Sequence, residues 1–229
     1  MVTIDSVLET ETDVLSHENS RELRILRLGR RSYGEVWNLQ KALVIKRKKQ
    51  LVPDTLILVE HNPVYTLGKN AKKDHLLQSR RPHVPVYHIE RGGDVTYHGP
   101  GQLVGYPILD LHDHRLSVSW YMRNLEKVII TTLAHFDIAA HRRDGLTGVW
   151  IRDEKIAALG VRLSRWISMH GFAINVNVDL SYFDDIIPCG IFEYGVTSME
   201  RILGHQQIFK DVEEVVIGMF VKMFEFSKP

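Results

Sequence analysis

The chain has 229 residues, enough for one large domain with a substantial buried core. Its 29 Lys and Arg against 28 Asp and Glu leave a net charge of +1, without the one-sided field of a general nucleic-acid or membrane-surface binder. A single cysteine, Cys189, excludes an intramolecular disulfide, a CxxC redox pair and a multi-cysteine zinc site, and fits a reducing, cytoplasmic setting.

Residues 1–20 carry Asp5, Glu9, Glu11, Asp13 and Glu18 with few aromatics, unlike a signal peptide or an Arg-rich transit sequence. They are expected to form a frayed, poorly ordered extension, with 21–229 as a single domain. Residues 24–28 predict a first strand. After Gly29, the positions Tyr33, Val36, Trp37, Gln40, Leu43 and Val44 follow helical spacing, and the helix is expected to end in the solvated basic run 46–49. Residues 55–59 and 85–89 read as short buried strands. The segment 91–101 holds too much Gly and Pro for a regular interior and predicts a shaped loop. Residues 102–109 resume as a strand. Val118, Tyr121, Leu125, Val128, Ile129, Thr132, Leu133 and Phe136 then trace one face of a helix of about 20 residues. The apolar run inside that helix, 128–136, is far short of the roughly 20 residues that span a bilayer.

Residues 147–151 and 155–163 flank the polar turn Arg152-Asp153-Glu154 and predict a hairpin, with a third strand over 166–176. From Val212, the residues Val215, Val216, Met219, Phe220 and Met223 predict a terminal amphipathic helix. Strands joined by hairpins, with helices between groups, predict an α/β fold in which a mixed sheet is flanked by helices. Regular βα alternation is missing, which argues against a doubly wound sheet.

The glycine-rich segment matches neither GxGxxG nor GxxxxGK, so nucleotide binding has no motif here. Its alternatives are a surface turn cluster and a ligand-shaping loop, in which glycines let backbone N–H groups and Arg91, Tyr97 and His98 approach a small molecule. Cys189 lies between Pro188 and Gly190, which leaves it open as a nucleophile as well as an inert buried thiol. A nucleophilic thiol needs a cation, because an unperturbed thiol with a pKa near 8.5 is only a few per cent thiolate at neutral pH. Lys155, at the mouth of an apolar strand, is either that cation or a snorkelling surface residue. Twelve histidines raise a metal reading, with His112-Asp113-His114 the tightest cluster, but HExxH and other strong ligand patterns are absent and no metal is expected. No GxSxG elbow supports a serine hydrolase.

These residues closely resemble the lipoyl(octanoyl) transferase family. The resemblance rests on Arg91-Gly92-Gly93-Asp94-Val95-Thr96-Tyr97-His98-Gly99-Pro100-Gly101-Gln102, on Lys155-Ile156-Ala157-Ala158-Leu159-Gly160 with His170-Gly171-Phe172-Ala173-Ile174-Asn175, and on Pro188-Cys189-Gly190 with Gly195-Val196-Thr197-Ser198. A weaker block runs Glu60-His61-Asn62-Pro63-Val64-Tyr65-Thr66-Leu67-Gly68. The resemblance implies a fold shared with biotin and lipoate ligase catalytic domains and transfer of octanoyl (or lipoyl) from acyl carrier protein to a lysine of a lipoyl domain. The acceptors would be lipoyl domains of 2-oxoacid dehydrogenase E2 subunits and the glycine cleavage H protein. It implies no cofactor, no nucleic acid and no membrane partner. By the same resemblance, Cys189 is the acyl-thioester nucleophile and Lys155 the lysine that lowers its pKa. Arg91, Gly92, Gly93, Asp94, Val95, Thr96, Tyr97, His98, Ala158, Leu159, Gly160, Gly171, Phe172 and Ala173 match segments around the acyl substrate. Ala158 stands where some relatives have Ser. The rivals are an ATP-dependent lipoate or biotin ligase, which gives Cys189 no task, and a non-catalytic module that binds the carrier or the lipoyl domain. Arg142, Arg143, Arg162 and Arg165 are candidates to meet an acidic carrier protein.

Overall fold

Alternation along the central strands sets the layers. In β3 (Asp54–His61), Leu56 and Leu58 face one way while Ile57 and Val59 face the other, and all four are fully buried. A strand apolar on both sides must lie inside a sheet covered on both faces. The structure, a computed structural model, describes residues 12–15, 21–187 and 194–226.

The main sheet has nine strands. Its order runs β1 (Thr12–Leu15), β2 (Leu23–Arg31), β3, β7 (Gln102–Ile108), β11 (Ile167–Asn175), β10 (Glu154–Ser164), β9 (Leu146–Ile151) and β8 (His141–Arg143), with β12 (Gly195–Val196) beside β10. Strands β2 and β3 are parallel, joined by helix α1 (Tyr33–Lys48), and β12 is parallel to β10. The remaining neighbours are antiparallel, so the sheet is mixed, as expected. A second sheet of three strands orders β5 (Val86–His88), β4 (Val64–Leu67) and β6 (Val95–His98).

One face of the large sheet carries α2 (Val118–His135) and α4 (Phe209–Phe224), which bury Leu125, Val128, Ile129, Val216 and Phe220 against Leu58 and Leu103. The other face carries α1, whose Val36, Leu39 and Leu43 pack on Ile57, Val104 and Tyr106. The starts of α2 and α1 are fixed by polar side chains. Ser117 Oγ accepts the Trp120 N–H at 3.2 Å, and the Glu35 carboxylate accepts the N–H and hydroxyl of Ser32 at 3.3 and 2.7 Å. Among the described residues no helix is long and apolar enough to cross a membrane.

Five details depart from the sequence expectations. Within the expected extension, Thr12–Leu15 pairs antiparallel with Leu23–Leu26, an edge strand whose short β-rich run was masked by acidic neighbours. Part of the shaped loop, Val95–His98, is strand β6, because Val95 and Tyr97 alternate into a third small core with Tyr65 and Phe183. The basic run 46–49 is not wholly solvated. Arg47 is buried, donating to Asp54 at 2.8 Å and to Asp113. In α4 the fully buried positions are Val212, Val216, Phe220, Val221 and Phe224, while Met219 and Met223 of the expected stripe are half-buried against the same core. A short helix, α3 (Met199–Leu203), was not expected, being only five residues long.

Candidate active site

The second sheet faces strands β7, β11 and β10 of the first across a cavity of about 430 Å³, within the range of small-molecule sites. The floor is made where three strands meet. Gly160 of β10 pairs with Gly171 of β11, and the neighbouring Phe172 pairs with Gly105 of β7. A Cβ on Gly160 would stand 2.9 Å from the Gly92 oxygen, so glycine here lets the 91–94 loop lie directly on β10. The Gly92 N–H confirms that contact by donating to the Val161 oxygen at 2.9 Å.

Arg91 holds this loop to the second sheet. Its Nη2 donates to the Thr66 carbonyl at 2.7 Å and to Thr66 Oγ1 at 3.0 Å, while Nη1 donates to the Gly92 carbonyl at 3.0 Å. Asp94 accepts the Val95 N–H at 2.7 Å through Oδ1 and the His75 Nδ1–H through Oδ2. His98 donates from Nδ1 to Gln102 Oε1 at 2.7 Å, an assignment that follows because the Gln102 amide nitrogen donates to Asn175 Oδ1 at 2.9 Å. The chain of bonds continues from Asn175 to the Thr197 carbonyl at 2.9 Å, and the Thr197 N–H reaches the Lys155 carbonyl at 3.0 Å. One buried network therefore ties His98 of the second sheet to the backbone of Lys155.

Lys155 pairs with Trp150 of β9 just before a register shift in the β9–β10 ladder, and it lines the cavity. Its Nζ stands 4.7 Å from the centre of the Trp150 ring, a cation–π contact. Tyr194 meets the same ring edge to face at 5.5 Å, and the Arg143 guanidinium lies 4.2 Å over Tyr194.

At the other end of the cavity is a group of buried polar rings. His61 Nε2 bonds the Tyr106 hydroxyl at 2.8 Å, and Tyr33 stacks on His98 with ring centres 6.1 Å apart. His170 adopts φ +61° and is fully buried, with neither ring nitrogen hydrogen bonded among the described residues; its backbone N–H is held by Gln40 Oε1 at 2.9 Å. Burial pushes His61 and His170 down to about 4 and His98 down to about 3, so all three rings are neutral at physiological pH.

Of the residues singled out in the sequence, Lys155, Arg91, Gly93, Asp94, Val95, Thr96, His98, Ala158, Leu159, Gly160, Gly171, Phe172 and Ala173 line this one cavity. Gly92 and Tyr97 are set back from it. Gly92 is spent on the backbone contact with Val161, and Tyr97 is buried in the small core, stacked on Tyr182 at 4.6 Å. Cys189 lies outside the described residues, but the chain on either side of its segment is fixed at the cavity. The Ile187 N–H donates to the His75 carbonyl at 2.8 Å, and Val196 pairs with Lys155. Sequence reasoning gave no role to His75, Trp150, Tyr194, Gln102 and Asn175. Two of these, Gln102 and Asn175, stood inside the blocks that carried the resemblance. Three of the four arginines read as a docking patch are engaged in ion pairs: Arg142 with Glu126, Arg143 with Asp153 and Arg162 with Glu90. The His112-Asp113-His114 cluster is likewise occupied by Asp110, Arg47 and Asp54, and among the described residues no group of three His, Cys, Asp or Glu is placed to hold a metal ion.

Residues 32–221 match the family described as "Lipoyl protein ligase A/B catalytic domain". The octanoyltransferase of Synechococcus elongatus is 44% identical over 211 residues, covering 91% of this chain and 90% of its own length. That of Rubrobacter xylanophilus is 46% identical over 213 residues, covering 89% and 94%. Among solved structures, a putative lipoate protein ligase from T. acidophilum superposes with a TM-score of 0.71 at 14% identity, over 92% of this chain and 87% of that one. Biotin protein ligase from Aquifex aeolicus in complex with biotin and ATP gives 0.54 at 15%, over 88% and 70%. At those identities the structures speak for the fold alone. The sequence relatives speak for more: the chain belongs to the lipoyl protein ligase A/B catalytic-domain family and, within it, to the octanoyltransferases, and it is an acyltransferase of protein lipoylation.

Proposed function

We propose that residues 21–229 form one catalytic domain that moves an octanoyl group from acyl carrier protein to a lysine of a lipoyl domain through a thioester on Cys189. The observation that carries this reading is the pairing of Val196 with Lys155, which returns the chain to the cavity lysine seven residues after the only cysteine. An ammonium beside a thiol favours the thiolate, each pKa unit of lowering being worth about 1.4 kcal/mol. The thiolate attacks the carrier's thioester and Lys155 protonates the departing thiolate. An eight-carbon chain in the apolar part of the cavity, against Val104, Leu159 and Phe172, contributes on the order of 5 kcal/mol at about 0.8 per methylene.

Incubation with octanoyl carrier protein, with the acceptor withheld, is expected to add the mass of one octanoyl group, mapping to Cys189 and lost in Cys189→Ala. Full transfer by Cys189→Ala would refute the covalent route. The ligase reading is tested alongside. Octanoyl carrier protein without ATP is expected to modify the acceptor lysine, whereas free octanoate with ATP and magnesium is not.

A further inference from the structure

Proton balance demands a base that the cysteine and lysine do not supply. A thioester and an alkylammonium give a thiol, an amide and one free proton. In the first half, the Cys189 thiolate bonds to the acyl carbon, the carbon–sulfur bond to the carrier breaks, and the carrier's sulfur takes the Lys155 proton. In the second half, the acceptor ammonium loses one proton to become a nucleophile, and that proton restores Lys155. When its nitrogen bonds to the acyl carbon and the bond to Cys189 breaks, a second proton must leave that nitrogen. Lys155, already protonated beside a reborn thiolate, cannot take it.

We propose that His75 is a further catalytic residue: its Nε2 accepts this second proton from the acceptor amine, with Asp94 holding the ring through Nδ1 and balancing the imidazolium, which then releases the proton to solvent. The inference rests on the Cys189 reading. Among the described residues three histidines line the cavity. His98 and His170 are neutral and buried, and His170 has no carboxylate within hydrogen-bond distance. His75 is less buried and has a carboxylate bonded to its ring. Its side chain is 15% exposed and that of its partner Asp94 is 10% exposed, so the pair is shielded yet reachable from the cavity. With Nδ1 committed to Asp94, Nε2 carries no hydrogen bond among the described residues. The geometry is that of a carboxylate-oriented imidazole base. The backbone of His75 also accepts the N–H of Ile187, two residues before Cys189 in the chain, so the dyad sits where the nucleophile's segment begins. Among the described residues the other charged groups on this cavity are Lys72, Arg91 and Lys155, all cations.

The two half-reactions of the full chain separate by rapid quench: loading from octanoyl carrier protein, then discharge onto a lipoyl domain or onto hydroxylamine, which is a neutral amine at assay pH. In His75→Gln, discharge onto the lysine is expected to slow by about 100-fold, while loading and discharge onto hydroxylamine stay within about threefold of native, because neither removes two protons from an ammonium. Asp94→Asn is expected to show the same split with a smaller loss. Equal slowing of loading and of both discharges would mean that His75 only braces the loop and would overturn the proposal, as would unchanged discharge onto lysine. Failure of the native chain to load an acyl group would overturn the Cys189 reading and this inference with it.

Discussion

Among the described residues, Lys155 is held by the Trp150 ring beneath its ammonium and by the Thr197 N–H on its carbonyl. Of these, Trp150 acts on the charge itself. A cation–π contact is worth about 0.5–2 kcal/mol depending on desolvation, so Trp150→Leu is expected to slow acyl loading by roughly threefold to thirtyfold, with Trp150→Phe falling between it and native. The measurement is the loading rate together with the pH at which Cys189 is alkylated. Lys155→Ala is expected to raise that pH and to slow transfer further than either tryptophan variant. An alkylation profile unmoved by Lys155→Ala would show that the lysine and the thiol do not interact.

At the scale of elements, α1 is anchored at both ends by residues that look like surface from their sequence. Its start is closed by Ser32 and Glu35, and its last turn sends Arg47 inward to Asp54, whose carboxylate also accepts the Asp110 N–H at 2.9 Å and His114 Nε2 at 2.7 Å. Removing the arginine leaves carboxylates desolvated without their cation, a loss of about 3–5 kcal/mol. Arg47→Met is therefore expected to lower the urea midpoint sharply, whereas the exposed Lys48→Met changes it by less than about 0.5 kcal/mol. Equal effects would place Arg47 in solvent. This is also where the sequence was least legible. Apolar periodicity located α1, α2 and α4 and the central strands, because burial on one or both faces leaves a regular trace. It could not separate Arg47 from Lys46 and Lys48, since pairing partners 7 and 66 residues away leave no local mark. His75 escaped for the same reason: its partner Asp94 lies 19 residues on, across the strand β5, and only the fold brings them together. The glycines of 91–94 were legible as a ligand-shaping loop because close backbone approach has a composition, whereas Gly160 and Gly171 were marked only by the family resemblance, and the strand β6 beside the loop was hidden by its Gly and Pro neighbours.

Across the whole molecule, the cavity divides into a cationic end at Lys155 and an end of neutral buried rings, and the second end sets how the protein responds to acid. His61, His98 and His170 are held by burial at about 4, about 3 and about 4, below the value near 6.5 of an exposed imidazole. The unfolded chain therefore binds protons at these three sites between pH 6.5 and pH 4 while the folded chain does not. A group depressed in this way favours the unfolded state as pH falls through its unfolded value, and the loss levels off only once the folded value is passed. Between pH 7 and pH 5 each ring costs about 2 kcal/mol of stability, a large share of a typical domain's total. Urea unfolding is expected to give a midpoint much lower at pH 5 than at pH 7. His170→Phe removes one titrating ring without breaking a hydrogen bond of that ring, and is expected to flatten the dependence by roughly a third. A native midpoint unchanged between pH 7 and pH 5 would mean that the rings are hydrated and that water reaches this end of the cavity. A native dependence that His170→Phe leaves intact would assign it to His61 and His98, whose rings are hydrogen bonded to Tyr106 and Gln102.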